Sequence, residues 1–210
     1  MENILRFISF EGLDFSGKST QIRFLTESLK QTGQKVCLIR EPGGTQISEK
    51  IRDILLDKNH MHMTDICEVL LYSAARHQLV NEKISKELAQ GAFVIADRYV
   101  DSTTAYQGYG RKLPMDFINQ LNTVATDNLL PSITFFLDIN IKTLLERKQS
   151  RRDGADRLES QQLVFYERIR KGYLEIAELK KKRYVLIDGT LSVNTIKKEI
   201  WEYVTTKFIL

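Results

Sequence analysis

Two kinds of apolar pattern alternate along the chain. Short runs rich in Val, Ile and Phe occupy 4–11, 35–40, 93–97, 133–138 and 184–188. They are too short for helices and read as five strands. Between them lie longer stretches with apolar residues three or four apart, the spacing that gives a helix one buried face. Leu163, Tyr166, Ile169, Tyr173, Ile176 and Leu179 form the clearest case. Helices are expected to begin near Lys18, Thr45, Thr64, Asn81, Pro114, Ile141 and Gln161, with a last one after Val193. Gly33 suits the left-handed cap that ends the first of them. Strand and helix in alternation predict an α/β fold in three layers, a five-stranded parallel sheet flanked by helices.

Glu11, Arg40, Asp97, Asp138 and Asp188 stand at the carboxyl ends of the five strands. Ligands of open α/β sheets bind beyond that edge, so the chemistry is expected there. A composition of 42% hydrophobic and 28% charged residues gives no reason to expect disorder. No linker-like stretch and no repeat interrupts the 210 residues, and one domain spanning 1–210 is expected. The net charge of +4 arises from interspersed residues, 31 basic and 27 acidic. Phosphates on a small ligand account for such a balance, and no nucleic-acid partner is expected. The densest basic run, Lys180, Lys181, Lys182 and Arg183, falls where a helix should end and reads as dipole pairing and solvation. Cys37 and Cys67 lie in apolar patterns without Cys-x-x-Cys spacing, and both are expected in the core. The chain opens without signal-peptide features, and no apolar run nears the ~18 residues of a membrane span. A cytoplasmic protein with no membrane partner is expected.

The sharpest motif is G-x-x-x-x-G-K-S, spelled by Gly12, Leu13, Asp14, Phe15, Ser16, Gly17, Lys18 and Ser19, with Thr20 next. Backbone N–H groups of such a loop point inward at phosphate oxygens, the lysine offsets β- and γ-phosphate charge, and the serine can ligate Mg²⁺. The motif needs a strand before it and a helix after it, and both are expected here. Binding of a nucleoside triphosphate and Mg²⁺ follows. P-loops serve kinases, switches and motors alike. The chain has no N-K-x-D segment to select guanine and no length for the partner domains of a motor. A kinase needs a second phosphate site lined with arginine, because two polyanions must meet in line against their repulsion. Arg40 and Arg98, at strand ends, suit that site.

Four segments together resemble the thymidylate kinase family: the phosphate loop with its Asp14; Arg40, Glu41, Pro42, Gly43, Gly44 and Thr45; the run from Leu71 to Arg76; and Asp97, Arg98 and Tyr99 followed by Ser102 to Gly108. The likeness covers essentially the whole chain. It implies a P-loop kinase fold that moves the γ-phosphoryl group of ATP to dTMP, giving dTDP and ADP for dTTP biosynthesis. The alternatives are a kinase for another pyrimidine monophosphate and a nucleotide-binding switch.

The resemblance assigns roles residue by residue. Asp14 would accept a hydrogen bond from the deoxyribose 3′-hydroxyl. Arg40 and Arg98 would hold the acceptor phosphate, with Asp97 near Mg²⁺ or its waters. Tyr72 would stack on thymine and Arg76, one helical turn on, would reach a base carbonyl. Thr103 and Gln107 look like base-edge contacts, and Tyr106 would crowd the ribose 2′ position. Arg147 would pack near adenine. A segment of about 147–158, with Arg147, Lys148, Arg151, Arg152 and Arg157 around Asp153 and Gly154, fits a mobile lid. Phe15 stands where some members carry a basic residue, so this chain resembles the bacterial-type arrangement with lid arginines. The catalytic set would then be Lys18, Arg98, Arg152 and, after it, Arg151. A phosphate oxygen is already ionised, so no general base is needed, and His60, His62 and His77 receive no role. A homodimer is also implied.

Overall fold

A computed structural model of the chain describes residues 4–150, 157 and 161–210. β1 (Phe7–Glu11) leads through the glycine loop into α1 (Lys18–Gln31), β2 (Val36–Arg40) and α2 (Gln46–Leu56). A 3-10 turn (Lys58–His60) precedes α3 (Asp65–Leu79), which continues through a π-helical turn (Val80–Ile84) into α4 (Ser85–Ala89). After β3 (Phe93–Asp97) come α5 (Val100–Thr103), a second π-helical segment (Thr104–Gly110) and α6 (Met115–Thr126). The chain ends with β4 (Ile133–Asp138), α7 (Ile141–Gln149), α8 (Leu163–Leu179), β5 (Tyr184–Asp188) and α9 (Val193–Phe208).

All five strands are parallel, in the order β2-β3-β1-β4-β5. β1 lies at the centre and is buried at every position, with Phe7, Ile8 and Phe10 apolar and the polar Ser9 and Glu11 finding partners inside the fold. Side chains alternate across it. Ile8 and Phe10 pack with Leu25 and Leu29 of α1 and Ile196, Ile200 and Val204 of α9. Phe7 packs on the other face with Leu79, Val94 and Tyr99. There too Phe136 meets Phe165, Ile169 and Tyr173 of α8. Ser9, buried on that face, shares a 2.8 Å hydrogen bond with Thr134 of β4. Connections from β1 and β3 diverge to opposite halves of the sheet, so a crevice opens at the carboxyl end of β1, the topological position where such sheets take ligands.

The five strands appear where expected, except that β1 starts at Phe7, whose N–H bonds the Leu5 carbonyl at 2.8 Å in a turn. Thr45, Thr64, Asn140 and Ser192 cap their helices by accepting the backbone N–H three residues on. Three expectations need correction. No helix begins near Asn81, because that residue lies inside the continuous path from α3 to α4. Cys67 is exposed and Cys37 only half-buried. Lys180 and Arg183 do follow α8, but both donate to Asp101, at 3.0 Å and at 2.7 and 2.8 Å. Burial alone would raise the Asp101 carboxyl; Arg183 and then Lys180 overcome this and hold it below the usual range.

A helical stretch at 100–110 was not expected from its polar sequence. Its buried polar side chains find distant partners: Asp101 the two cations just named, Gln107 the carboxylate of Glu68, and Thr104 the amide of Asn122. It lies close against α8, and Gly172 permits that approach. A Cβ at Gly172 would stand 2.6 Å from the ring of Tyr109, whose hydroxyl is tethered to Glu175 at 2.8 Å. In an exposed helix Gly172→Ala would gain about 1 kcal/mol. Here overpacking should outweigh that gain and destabilise the fold by about 1–2 kcal/mol. A urea midpoint equal to or above that of the unsubstituted protein would contradict this account of the contact.

Candidate active site

The loop after β1 is shaped by its backbone. Gly12 and Gly17 have φ of 140° and 98°, and a Cβ on Gly12 would lie 2.5 Å from the Leu137 carbonyl. Leu13 turns its side chain into the core, and its carbonyl accepts a 2.8 Å hydrogen bond from Lys18 Nζ. Lys18 also donates to the Gly12 carbonyl at 3.2 Å. Burial, then the neighbouring charge of Arg98, pulls the Lys18 ammonium down to about 8. An anion in this loop would raise it again.

A cavity of about 590 Å³ opens from the loop along the sheet edge. Asp14, Phe15, Ser16, Gly17, Lys18, Ser19 and Thr20 of the loop line it, and so do Tyr72, Arg76, Thr103, Tyr106 and Gln107 from the helical segments. Arg40, Asp97, Arg98 and Arg147 also border it. The two halves of the sequence reading therefore meet in one space.

Arg98 is the most tightly held of these groups. Its backbone is left-handed, φ 70°, an uncommon state for a residue with a Cβ. One terminal nitrogen donates to the Gly12 carbonyl at 2.9 Å and to the hydroxyls of Ser102 and Tyr173 at 3.3 Å. The other donates to Asp14 at 2.6 Å, and the guanidinium lies 5.0 Å from the Tyr106 ring centre. Burial pushes the Asp14 carboxyl up, but Arg98 and Lys18 bring it below its ordinary value. Arg40 is built otherwise. It rims the cavity, 47% of its side chain is exposed, and it donates to both oxygens of Glu49 at 3.0 Å.

Arg76 is 2% exposed. It pairs with Glu41 at 2.7 Å and donates to Thr103 at 2.8 Å and to the Tyr99 carbonyl at 3.1 Å. Glu41 Oε1 is buried without a hydrogen-bond partner. Gln107 donates its amide to Glu68 at 2.8 Å. Arg147 clamps the carbonyls of Phe15 and Gly189, each at 2.9 Å. Ser19 donates to Asp97 at 3.3 Å. Among the described residues no group of three or more His, Cys, Asp or Glu forms a metal cage. The Ser19 and Asp97 oxygens instead fit Mg²⁺, which keeps most of its waters and takes one or two protein ligands beside substrate phosphates.

Arg151 and Arg152 lie outside the described residues. Arg157, expected among the cations of a mobile lid, is instead buried, donating to Glu68 at 2.6 Å and to the Leu55 carbonyl at 2.7 Å. Sequence reasoning missed Glu11 as a site residue, reading it only as a strand end. Its carboxylate accepts from the Tyr99 N–H at 2.8 Å, Ser102 at 2.6 Å and Tyr173 at 2.8 Å. It therefore braces both hydroxyls that hold Arg98. It also missed Glu68 and Tyr173, whose partners lie far away in the chain and leave no local motif.

The family model for thymidylate kinase matches residues 10–200. The thymidylate kinase of Thermosipho africanus (strain TCF52B) is 46% identical over 194 residues, covering 92% of this chain and 94% of its own. That of Thermoanaerobacter sp. (strain X514) is 43% identical over 199 residues, covering 95% and 97%. The crystal structure of thymidylate kinase from Ehrlichia chaffeensis superposes with a TM-score of 0.77 at 32% identity, over 95% of this chain and 97% of that one.

Burial, reinforced by nearby Asp101, lifts the Glu11 carboxyl from 4.5 to about 7. Between those values the folded protein binds a proton that the unfolded chain releases. The stabilisation from Glu11 is therefore complete below about pH 4.5 and is lost as pH rises through about 7. Glu11→Gln cannot titrate. Its melting temperature relative to the parent protein should climb as pH is raised from 5 to 8, and a gap independent of pH would show Glu11 to be an ordinary carboxylate.

Proposed function

The chain belongs to the thymidylate kinase family, and from that premise we propose how its own residues move the γ-phosphoryl group of ATP to dTMP. The observation that carries the proposal is the shared cavity. The phosphate-binding loop with Lys18, the polar side chains of Arg76, Thr103 and Gln107, and Arg98 all line it.

ATP would lay its phosphates in the loop from Gly12 to Thr20, with Arg147 beside adenine. Ser19 and Asp97 would hold Mg²⁺, which when bound draws negative charge from the β- and γ-phosphates. The dTMP phosphate would meet Arg98 and Arg40, because a planar guanidinium grips phosphate in two bonds and keeps its charge. Asp14 would receive the sugar 3′-hydroxyl, Tyr106 would crowd a 2′-hydroxyl, and Tyr72, Arg76, Thr103 and Gln107 would enclose the base. The acceptor oxygen is already ionised, so the protein supplies position and fixed charge: Lys18, Arg98 and the arginines at 151 and 152, in a lid between Arg147 and the anchored Arg157, on a single domain.

Two further features belong to the same proposal. Exposed Ile66 and Leu70, one turn apart on α3, and Val124 on α6 supply apolar surface for a homodimer. The unpaired cysteines favour a cytoplasmic setting, and no helix among the described residues is long and apolar enough to cross a membrane.

ADP release measured with dTMP, dUMP, CMP, AMP, GMP and thymidine should be fastest with dTMP. A faster acceptor would overturn the substrate assignment, and tight nucleotide binding without acceptor-stimulated turnover would favour a switch. Lys18→Ala should abolish turnover with every acceptor. Tyr72→Ala should raise the dTMP KM about tenfold while changing kcat little, as loss of one stacking contact of about 1–3 kcal/mol would do. An unchanged KM would place Tyr72 outside the site.

A further inference from the structure

Glu68 has no place in the reaction as drawn, yet four hydrogen bonds converge on it. Gln107 Nε2 donates to its Oε1 at 2.8 Å, and Arg111 Nε donates to the same oxygen at 3.2 Å. Arg111 and Arg157 donate terminal nitrogens to Oε2 at 3.0 and 2.6 Å. The Glu68 side chain is 1% exposed and does not line the cavity. Burial opposes its charge, but Arg111, Gln107 and Arg157 together hold the carboxyl below its usual range, so it stays an acceptor at neutral pH. A buried ionic cluster is weak grounds for stability, since an apolar replacement often does as well. Its geometric effect is stronger. An ionised carboxylate cannot donate, so only the NH₂ side of the Gln107 amide can face it. The amide oxygen diverges from the same carbon and is the atom left for the cavity that Gln107 lines.

We propose that Glu68 is a positioning residue for base selection, locking the Gln107 amide so that its oxygen, an acceptor, faces the nucleobase beside the donor edge of Arg76. The inference rests on the reading of Gln107 as a base contact. Arg76 offers only donors, so the pair presents a donor next to an acceptor. A pyrimidine imide matches it, with a carbonyl at C4 and an N–H at N3. Cytosine presents an amino group and a bare ring nitrogen and is opposed at both positions. Glu68 thus excludes a base it never touches, and a free amide would discriminate less because it could turn over to suit either edge.

The test is a double-mutant cycle in kcat/KM for dTMP with Glu68→Gln and Gln107→Met, each checked for folding by thermal melting. Glu68→Gln should lower kcat/KM for dTMP about tenfold, mostly through KM, and narrow the preference for dTMP over dCMP by a similar factor. In the Gln107→Met background it should add less than about a twofold loss, because its effect passes through that amide. Losses that multiply, or an unchanged dTMP to dCMP ratio, would overturn the role of Glu68. Gln107→Met with undiminished activity toward dTMP would instead overturn the base-contact reading. If Glu68→Gln does not fold, Glu68→Asp retracts the carboxylate but keeps its charge, and the same cycle with the same criteria decides.

Discussion

Coulomb repulsion between two phosphate chains is the constraint on which the structure turns. Two unit charges about 4 Å apart repel by about 4 kcal/mol near a protein surface, and each polyanion carries several. Fixed cations must stand where the chains meet, yet without ligand they must not repel one another or the fold. The solution here is carboxylates beside the cations. Asp14 faces Arg98, Glu49 faces Arg40, and Glu41 faces Arg76. Lys18, held among the described residues by two carbonyls, is the cation whose charged form the site itself disfavours, and it is also the one in the phosphate loop.

That arrangement explains the sidedness of the sheet. The face under α1 and α9 is filled by an apolar cluster, with Gln21 of α1 buried in the same layer and donating to the Val193 carbonyl at 3.0 Å. The opposite face carries Glu11 and Ser9 from the central strand, with Thr134 of β4 beside them. Asp101 lies deeper, neutralised by Lys180 and Arg183, and Arg183 also donates to Thr134 at 2.6 Å. Two polar networks therefore lie on this face, one joining Thr134, Arg183, Asp101 and Lys180, the other joining Glu11, Ser102, Tyr173 and Arg98. Within each network the members satisfy one another, which keeps the desolvation cost of burying them tolerable and makes the floor of the site stiff.

What the sequence revealed and what it hid follow the same division. Strands buried on both faces betray themselves by apolar runs, and the glycine loop by backbone angles that only particular residues reach, so β1, its loop and α1 were legible. Helix starts at Thr45 and Thr64 were legible because a cap acts on residues three positions away. The segment after Arg98 was not. Its helical form depends on Glu68, Lys180 and Arg183, which lie 39 residues before Gln107 and 79 and 82 after Asp101. Arg157 misled for the same reason: beside Arg151 and Arg152 it looks like one more solvated cation, and only the fold brings it to Glu68. Local spacing reports local physics, and a buried ion pair between distant residues leaves no period to read.

The two arginines expected at the acceptor phosphate show how far equal residues diverge once folded. Arg98 is fixed before any ligand arrives, by a left-handed backbone, three oxygen partners on one nitrogen, Asp14 on the other, and a tyrosine face. A charge so placed needs no reorganisation when negative charge builds up nearby, which is the condition under which electrostatic stabilisation is greatest. Arg40, half exposed and held only by an equally exposed Glu49, can follow a ligand as it enters, but it pays for that freedom in ordering entropy. Capture and stabilisation make opposite demands on a side chain. One guanidinium cannot meet both, so a site that must first collect an anion and then hold it in line is served by two arginines of unequal stiffness.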